Sequence, residues 1–287
     1  MNQIVSHTPV AAPHSTAAAW GTLSFIQPQA TKPAFHSSAL TGGEPAVFFD
    51  TDERTVLIAD MRAIADTLSL DREGFELVRH RTAVADLYDD ATVDRFYVPE
   101  TEALLRRHLG ADRAVVFDAT RRSDGGAGAA NRDGARGPAW RVHVDYTAKS
   151  GPQRVKDILG EAEAARLATT DARIVQVNVW RPIRGPVRRA PLALADASTV
   201  RPEELIATDQ VFPDRVGEIY HLAHAAEQRW YTAPEMTPDE VLLIKGWDSD
   251  EHVARVTPHS AFALRDSADA PPRESIELRA LVVIEAP

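Results

Sequence analysis

With 287 residues, a formal charge of −10 and no cysteine, the chain excludes disulfides, cysteine-ligated zinc, iron–sulfur clusters and a thiol nucleophile. The acidic total argues against a basic nucleic-acid groove or attraction to an anionic membrane, and favours a small-molecule partner. Hydrophobic residues at 44% and charged residues at 26% are ordinary for a soluble globular protein with a sizeable core.

The first residues, Met1 to Ala19, lack the basic start and apolar run of a secretory signal, and no later stretch is apolar for long enough to span a bilayer. A flexible segment over 1–19 is expected ahead of a single domain over 20–287, in a cytoplasmic protein. Gly21 to Ile26 alternates as a strand does. Ala46–Phe49 and Thr55–Ile58 bracket Asp50–Glu53 as a hairpin. A short helix over Met61–Leu68 and an extended Gly74–Val78 follow. Val93 to Leu109 carries apolar residues at helical spacing, interrupted by Pro99 and closed by Gly110.

Ala114–Asp118 reads as a buried strand, and Thr120–Pro138 as a long loop, either a loose connection or a lid. Trp140 to Thr147 alternates as a strand, Gly151–Ala168 is helical, and Ile174–Trp180 is a strand stopped by Pro182 and Pro186. Short strands at Leu192–Leu194 and Gln210–Phe212 and mixed structure over 217–226 lead to a buried strand at Val241–Lys245. Ala254–Phe262, with a proline inside, suits a rim strand. A long alternating strand over Glu274–Ile284 ends the chain. Helices first and then many strands give a mainly β fold with flanking helices, a barrel or jelly roll.

His143 and Asp145 share one face of their strand, because residues two apart point the same way. An imidazole and a carboxylate so placed can occupy adjacent positions on a metal ion. Two histidines and one carboxylate with other positions open is the arrangement of non-haem iron oxygenases. The bland reading of His143 and Asp145 is a surface pair. His259 is the candidate third ligand, and His221 with His224, three apart, form a competing pair. On the last strand, Arg273, Ser275, Glu277 and Arg279 share a polar face. A buried guanidinium needs an anion, which a dicarboxylate would supply, or else the face is solvated.

Taken together, Val142–Thr147, Asn178–Pro182, Leu243–Ser249, Pro258–Phe262 and Pro272–Arg279 resemble the Fe(II)/2-oxoglutarate-dependent oxygenases. More specifically they resemble the CmcJ/AsaB-like hydroxylase/desaturase family of secondary metabolism, from about Gly74 to Val283. The resemblance implies a double-stranded β-helix (jelly roll, cupin-like) with Fe(II) on His143, Asp145 and His259. It implies 2-oxoglutarate anchored by Arg273 with Ser275, Arg279 being a second choice. It also implies that dioxygen is consumed, that succinate and CO2 are released, and that a small-molecule natural product is hydroxylated or desaturated. Tyr146, Asn178, Trp180, Arg181, Lys245 and Trp247 are candidates for lining the substrate pocket; Trp180 and Trp247 could equally be core aromatics and Lys245 a solvated strand end. A cupin-like hydrolase or isomerase, a non-catalytic partner subunit and a homo-oligomer stay open.

Overall fold

The computed structural model describes residues 19–41, 45–264 and 267–285. Its strands are β1 (Ala19–Ile26), β2 (Ala34–His36), β3 (Ala46–Val47), β4 (Thr51–Asp60), β5 (Phe75–Arg79), β6 (Arg113–Ser123), β7 (His143–Val144) and β8 (Arg173–Pro182). They continue as β9 (Leu192–Ala195), β10 (Leu205–Val211), β11 (Val216–Leu222), β12 (Trp230–Thr232), β13 (Glu240–Asp248), β14 (His259–Ala261) and β15 (Glu274–Ile284). The helices are α1 (Ser38–Thr41), α2 (Asp90–Thr92), α3 (Val98–Leu109), α4 (Ser150–Leu159) and α5 (Glu161–Ala168).

Among the described residues the strands form two sheets, ordered β1-β4-β12-β9-β14-β7-β11-β10-β2-β3 and β5-β13-β8-β15-β6. Period-two alternation decides what each face does. On the smaller sheet, Val175, Val177 and Val179 of β8, Val241 and Leu243 of β13, and Ala280 and Val282 of β15 face Leu104 and Leu105 of α3. The other face turns Trp180, Leu242 and Ile244 toward Leu192 and Leu194 of the larger sheet. Two sheets packed face to face, with α3 on the outer side of the smaller one and α4 and α5 against Ile174, Leu281 and Val283 at the end of its other face, make the double-stranded β-helix.

Several boundaries differ from the expectation. Asp50–Glu53 is not a hairpin turn: β4 pairs with all eight residues of β1, from Ala19↔Ile58 to Ile26↔Thr51. This register buries Leu23, Phe25 and Ile58 together. The helix expected over Gly151–Ala168 breaks at Gly160, whose φ of 85° no helix continues. Thr120, Arg121 and Arg122 belong to β6 rather than to a loop. The connection that follows is tied down by the Ala129↔Arg136 bridge and by Asn131, which accepts from the Arg121 amide and donates to its carbonyl. The strand expected over Ala254–Phe262 shortens to β14, and that over Trp140–Thr147 to β7. Of the flexible segment expected over 1–19, all but Ala19 lies outside the described residues.

Candidate metal centre

β7 and β14 are antiparallel neighbours in the larger sheet, and His143 and His259 are register partners. Their ring centroids lie 4.6 Å apart, tilted by 48°. Each ring is oriented in the same way, by the main chain two residues earlier. Nδ1 of His143 donates to the Arg141 carbonyl at 2.9 Å, and Nδ1 of His259 donates to the Thr257 carbonyl at 3.0 Å. A carbonyl only accepts, so both protons sit on Nδ1 and both Nε2 lone pairs are free for a metal.

Asp145 lies just past the end of β7. Its Oδ2 accepts from Asn178 Nδ2 at 2.6 Å and from Arg279 Nε at 3.2 Å, while Oδ1 stands 3.8 Å from His143 Nε2. One ligand atom from each of His143, Asp145 and His259 falls within 4.8 Å of the other two. Burial, reinforced by the neighbouring His259, pushes the His143 ring down to about 3. Burial alone would raise the Asp145 carboxyl, but Arg279 and the two imidazoles outweigh it and hold the group well below the usual carboxylate range. Two imidazoles with free Nε2 lone pairs and one carboxylate thus converge on a position that suits a cation.

A cavity opens in front of these ligands, walled by Trp180, Leu192, Ala261, Arg122 and Arg273. Arg273 is 2% exposed; Nη1 donates to the Ala190 carbonyl at 2.7 Å, while Nε and Nη2 have no partner among the described residues. Burial and the nearby Arg122 push its pKa down to about 9. A guanidinium left this way is costly unless an anion arrives. The donor set of the three ligands suits Fe(II), and the orphaned guanidinium suits a carboxylate of 2-oxoglutarate.

The sequence matches, over residues 23–283, the family described as "Oxidoreductase/YMDC permease-like domain". It is 34% identical to hydroxylase/desaturase efuI of Hormonema carpetanum, across 80% of this chain and 83% of that protein. It is 30% identical to the Fe(II)/2-oxoglutarate-dependent dioxygenase nvfI of Aspergillus novofumigatus, across 90% and 94%. A solved structure of the iron and alpha-ketoglutarate-dependent endoperoxidase NvfI superposes with a TM-score of 0.83 at 28% identity, covering 95% of this chain and all of that one. This chain belongs to the Fe(II)/2-oxoglutarate-dependent dioxygenases.

The dioxygenase therefore uses Fe(II), 2-oxoglutarate and O2, and the hydrolase, isomerase and non-catalytic readings are set aside. Among the described residues no helix is long and apolar enough to cross a membrane.

Not every residue expected at the dioxygenase site is there. Trp180 lines the cavity, but Asn178 is spent on Asp145 and on Gln176, whose Nε2 donates to it at 2.7 Å. Arg181 is a correction: one residue from Trp180, it falls on the opposite face and is fully buried. There its Nε donates to the Tyr97 hydroxyl at 2.8 Å and Nη1 to the His80 carbonyl at 2.8 Å. Lys245 is a second correction, since it shares the outer face with Val177 and gives its ammonium to Asp248 at 2.6 Å and Asp71 at 3.0 Å. Tyr146 and Trp247 pack into an apolar cluster with Val155 of α4, and the Trp247 indole lies flush on Gly151, where no side chain fits between them. Both are core aromatics rather than pocket walls.

Arg279 also moves. Its Nη1 donates to Asp118 at 2.6 Å and Nη2 lies 2.6 Å from Glu277, so with Asp145 it faces three carboxylates and has no free edge for a co-substrate. Ser275 is buried beside Arg273, with its hydroxyl donating weakly to the Arg122 carbonyl at 3.4 Å. The His221/His224 pair forms no site: His221 is a strand residue bonded through Nδ1 to Thr208 at 3.0 Å, and His224 packs edge-on against Phe25.

Burial also holds His221 down to about 3. For the metal-free dioxygenase the sign follows directly. The unfolded chain protonates these rings below about pH 6.5 while the folded rings stay neutral, so stability is full above that value and falls with pH at about 1.4 kcal/mol per unit for each ring. His221→Gln should therefore remove close to half of the slope that His143 and His221 contribute between pH 6 and 5, measured by urea denaturation. An unaltered slope would show that His221 takes up its proton in the folded state too.

Proposed function

We propose that His143, Asp145 and His259 hold the iron of this dioxygenase, that Arg273 binds the far carboxylate of 2-oxoglutarate with Ser275 beside it, and that the substrate is a small natural product. The observation that carries the assignment is the Arg273 guanidinium, buried with two unpartnered nitrogens on the wall of the cavity that the two imidazoles face. Fe(II) with bound 2-oxoglutarate supplies the activation of dioxygen that oxidises the substrate, while the co-substrate leaves as succinate and CO2.

The protein's own residues orient the reactants. The main-chain acceptors of His143 and His259 fix which ring nitrogen is free, and Asn178 and Arg279 hold the Asp145 carboxylate by one oxygen so that the other faces the ligands. The Trp180 indole lies 5.8 Å from the Arg273 guanidinium and restrains it by a cation–π contact, while Leu192 and Ala261 offer apolar walls to a substrate. With Arg181 and Lys245 occupied elsewhere, neither is left for a substrate carboxylate. The natural-product class is supported by relatives named hydroxylase/desaturase and by an aspirochlorine biosynthesis protein of Aspergillus oryzae, 40% identical over 166 residues. The cysteine-free composition accords with a cytoplasmic setting.

Arg273→Ala is expected to weaken 2-oxoglutarate binding by about two orders of magnitude, the scale of a lost bidentate charge-assisted contact, with Fe(II) affinity kept. Anaerobic titration of the Fe(II) protein, followed by the metal-to-ligand charge-transfer absorption, measures it. Arg273→Lys should recover part of the loss. Equal affinity in wild type and alanine variant would refute the assignment.

A further inference from the structure

A dianion in this cavity has two ends, and the cavity has a second cation to meet it. Arg122 stands opposite Ser275 in the β6–β15 register, which puts its side chain on the inner face, while the adjacent Arg121 turns outward to Leu87 and Asp90. It lines the same cavity as His143, His259 and Arg273. Among the described residues it forms no ion pair; one nitrogen, Nη1, donates to the Gly137 carbonyl at 2.9 Å. The carboxylates nearby are already engaged. Asp145, Asp118 and Glu277 all contact Arg279.

Strand register tells the two cations apart. Arg279, which holds Asp145, lies four positions along β15 from Ser275, the partner of Arg122, and six from Arg273. Arg122 is therefore the cation on the metal-ligand side and Arg273 the cation on the far side.

Resting on the co-substrate site proposed above, we propose that Arg122 binds the carboxylate of 2-oxoglutarate that adjoins the keto carbon, so that the co-substrate lies between two guanidiniums, one for each end. A cation there neutralises the negative charge that the co-substrate brings beside Asp145. Its bond to Gly137 also couples that end of the co-substrate to the connection between β6 and β7.

The test uses two probes, 2-oxoglutarate and 2-oxobutyrate, which share the keto acid end and differ in the far carboxylate. Each is titrated anaerobically into the Fe(II)-loaded full-length protein and followed by the charge-transfer absorption. Arg273→Gln should weaken 2-oxoglutarate and leave 2-oxobutyrate unchanged. Arg122→Gln should weaken both by the same factor, about tenfold or more, and shift the absorption maximum, because the lost contact is one charge-assisted bond common to both probes. Arg122→Lys, which keeps the charge, should restore most of the affinity and guards against loss through misfolding.

If Arg122→Gln binds both probes as wild type does, Arg122 only ties down the neighbouring connection and the proposal falls. If it weakens 2-oxoglutarate alone, Arg122 serves the far end and the proposal equally falls. Absence of any charge-transfer band in the wild-type protein would instead overturn the co-substrate site itself.

Discussion

His259→Ala will abolish 2-oxoglutarate turnover and cut Fe(II) affinity by more than the 10–100-fold typical of losing a residue that only supports a ligand. The reason is the arrangement of the two strands. His259 and His143 face each other across one register position, and with Asp145 they are the one group among the described residues able to surround an ion. With His259 gone, two donors remain, and alanine opens space beside His143 without supplying a third. Iron content after anaerobic reconstitution and succinate release on added 2-oxoglutarate are the measurements. The side chain is not needed to close the fold: its strand is held by main-chain pairing with β9 at three positions. The variant should therefore remain folded, and its melting temperature should lose the rise that Fe(II) gives wild type. A variant that retained full iron content and succinate release would exclude His259 as a ligand.

The second large effect is on stability. Arg279→Met removes the cation shared by Asp145, Glu277 and Asp118, and two of those carboxylates are nearly inaccessible, with side chains 14% and 8% exposed. Removing one partner from a buried ionic group typically costs about 3–5 kcal/mol. Asp118 is 41% exposed and can rehydrate, so the lower end, about 3 kcal/mol at neutral pH, is expected for the metal-free protein.

The pH dependence should change as well. In wild type the Asp145 carboxyl is held low, so its contribution to stability is present above the ordinary carboxylate value and is lost as pH falls below it. Without Arg279, burial is opposed only by the imidazoles and the Asn178 amide. The group then protonates at higher pH, and Fe(II) affinity should fall off earlier on acidification. Fe(II) would supply positive charge at the other oxygen of Asp145, so it should stabilise the variant more than it stabilises wild type. Urea denaturation with and without Fe(II) tests both statements, and a loss under about 1 kcal/mol would mean that the three carboxylates find other partners.

The parts of this site legible in the sequence were those governed by strand alternation. His143 and Asp145 two apart, and Arg273, Ser275, Glu277 and Arg279 in alternate positions, each indicated a common face, and each set shares one. What alternation cannot reveal is which charge meets which. That depends on register between strands distant in the chain: β15 lies between β6 and β8, so Arg279 meets Asp118 on one side and stands beside Asn178 on the other. The same rule would have excluded Arg181, one residue from Trp180 and therefore on the other face. It would also have excluded Lys245, one residue from Ile244; Trp247 was harder, because the bulge between Lys245 and Trp247 breaks the alternation of β13. Gly246 permits that bulge, since any side chain there would collide with the Gln176 amide. Arg122 was hidden by its surroundings: the glycine- and arginine-rich composition after Thr120 has no period, and only pairing with β15 makes its first residues a strand.

Both imidazoles of the proposed iron site have their protons placed by the polypeptide's own amide carbonyls, two positions back, and among the described residues no neighbouring side chain takes part. Substitutions in the surrounding walls can then reshape what the chamber accepts while the tautomer of each ring stays as the backbone dictates. A lineage built on such a centre is free to exchange one oxidised metabolite for another by altering its linings alone, without having to reinvent the grip on the metal.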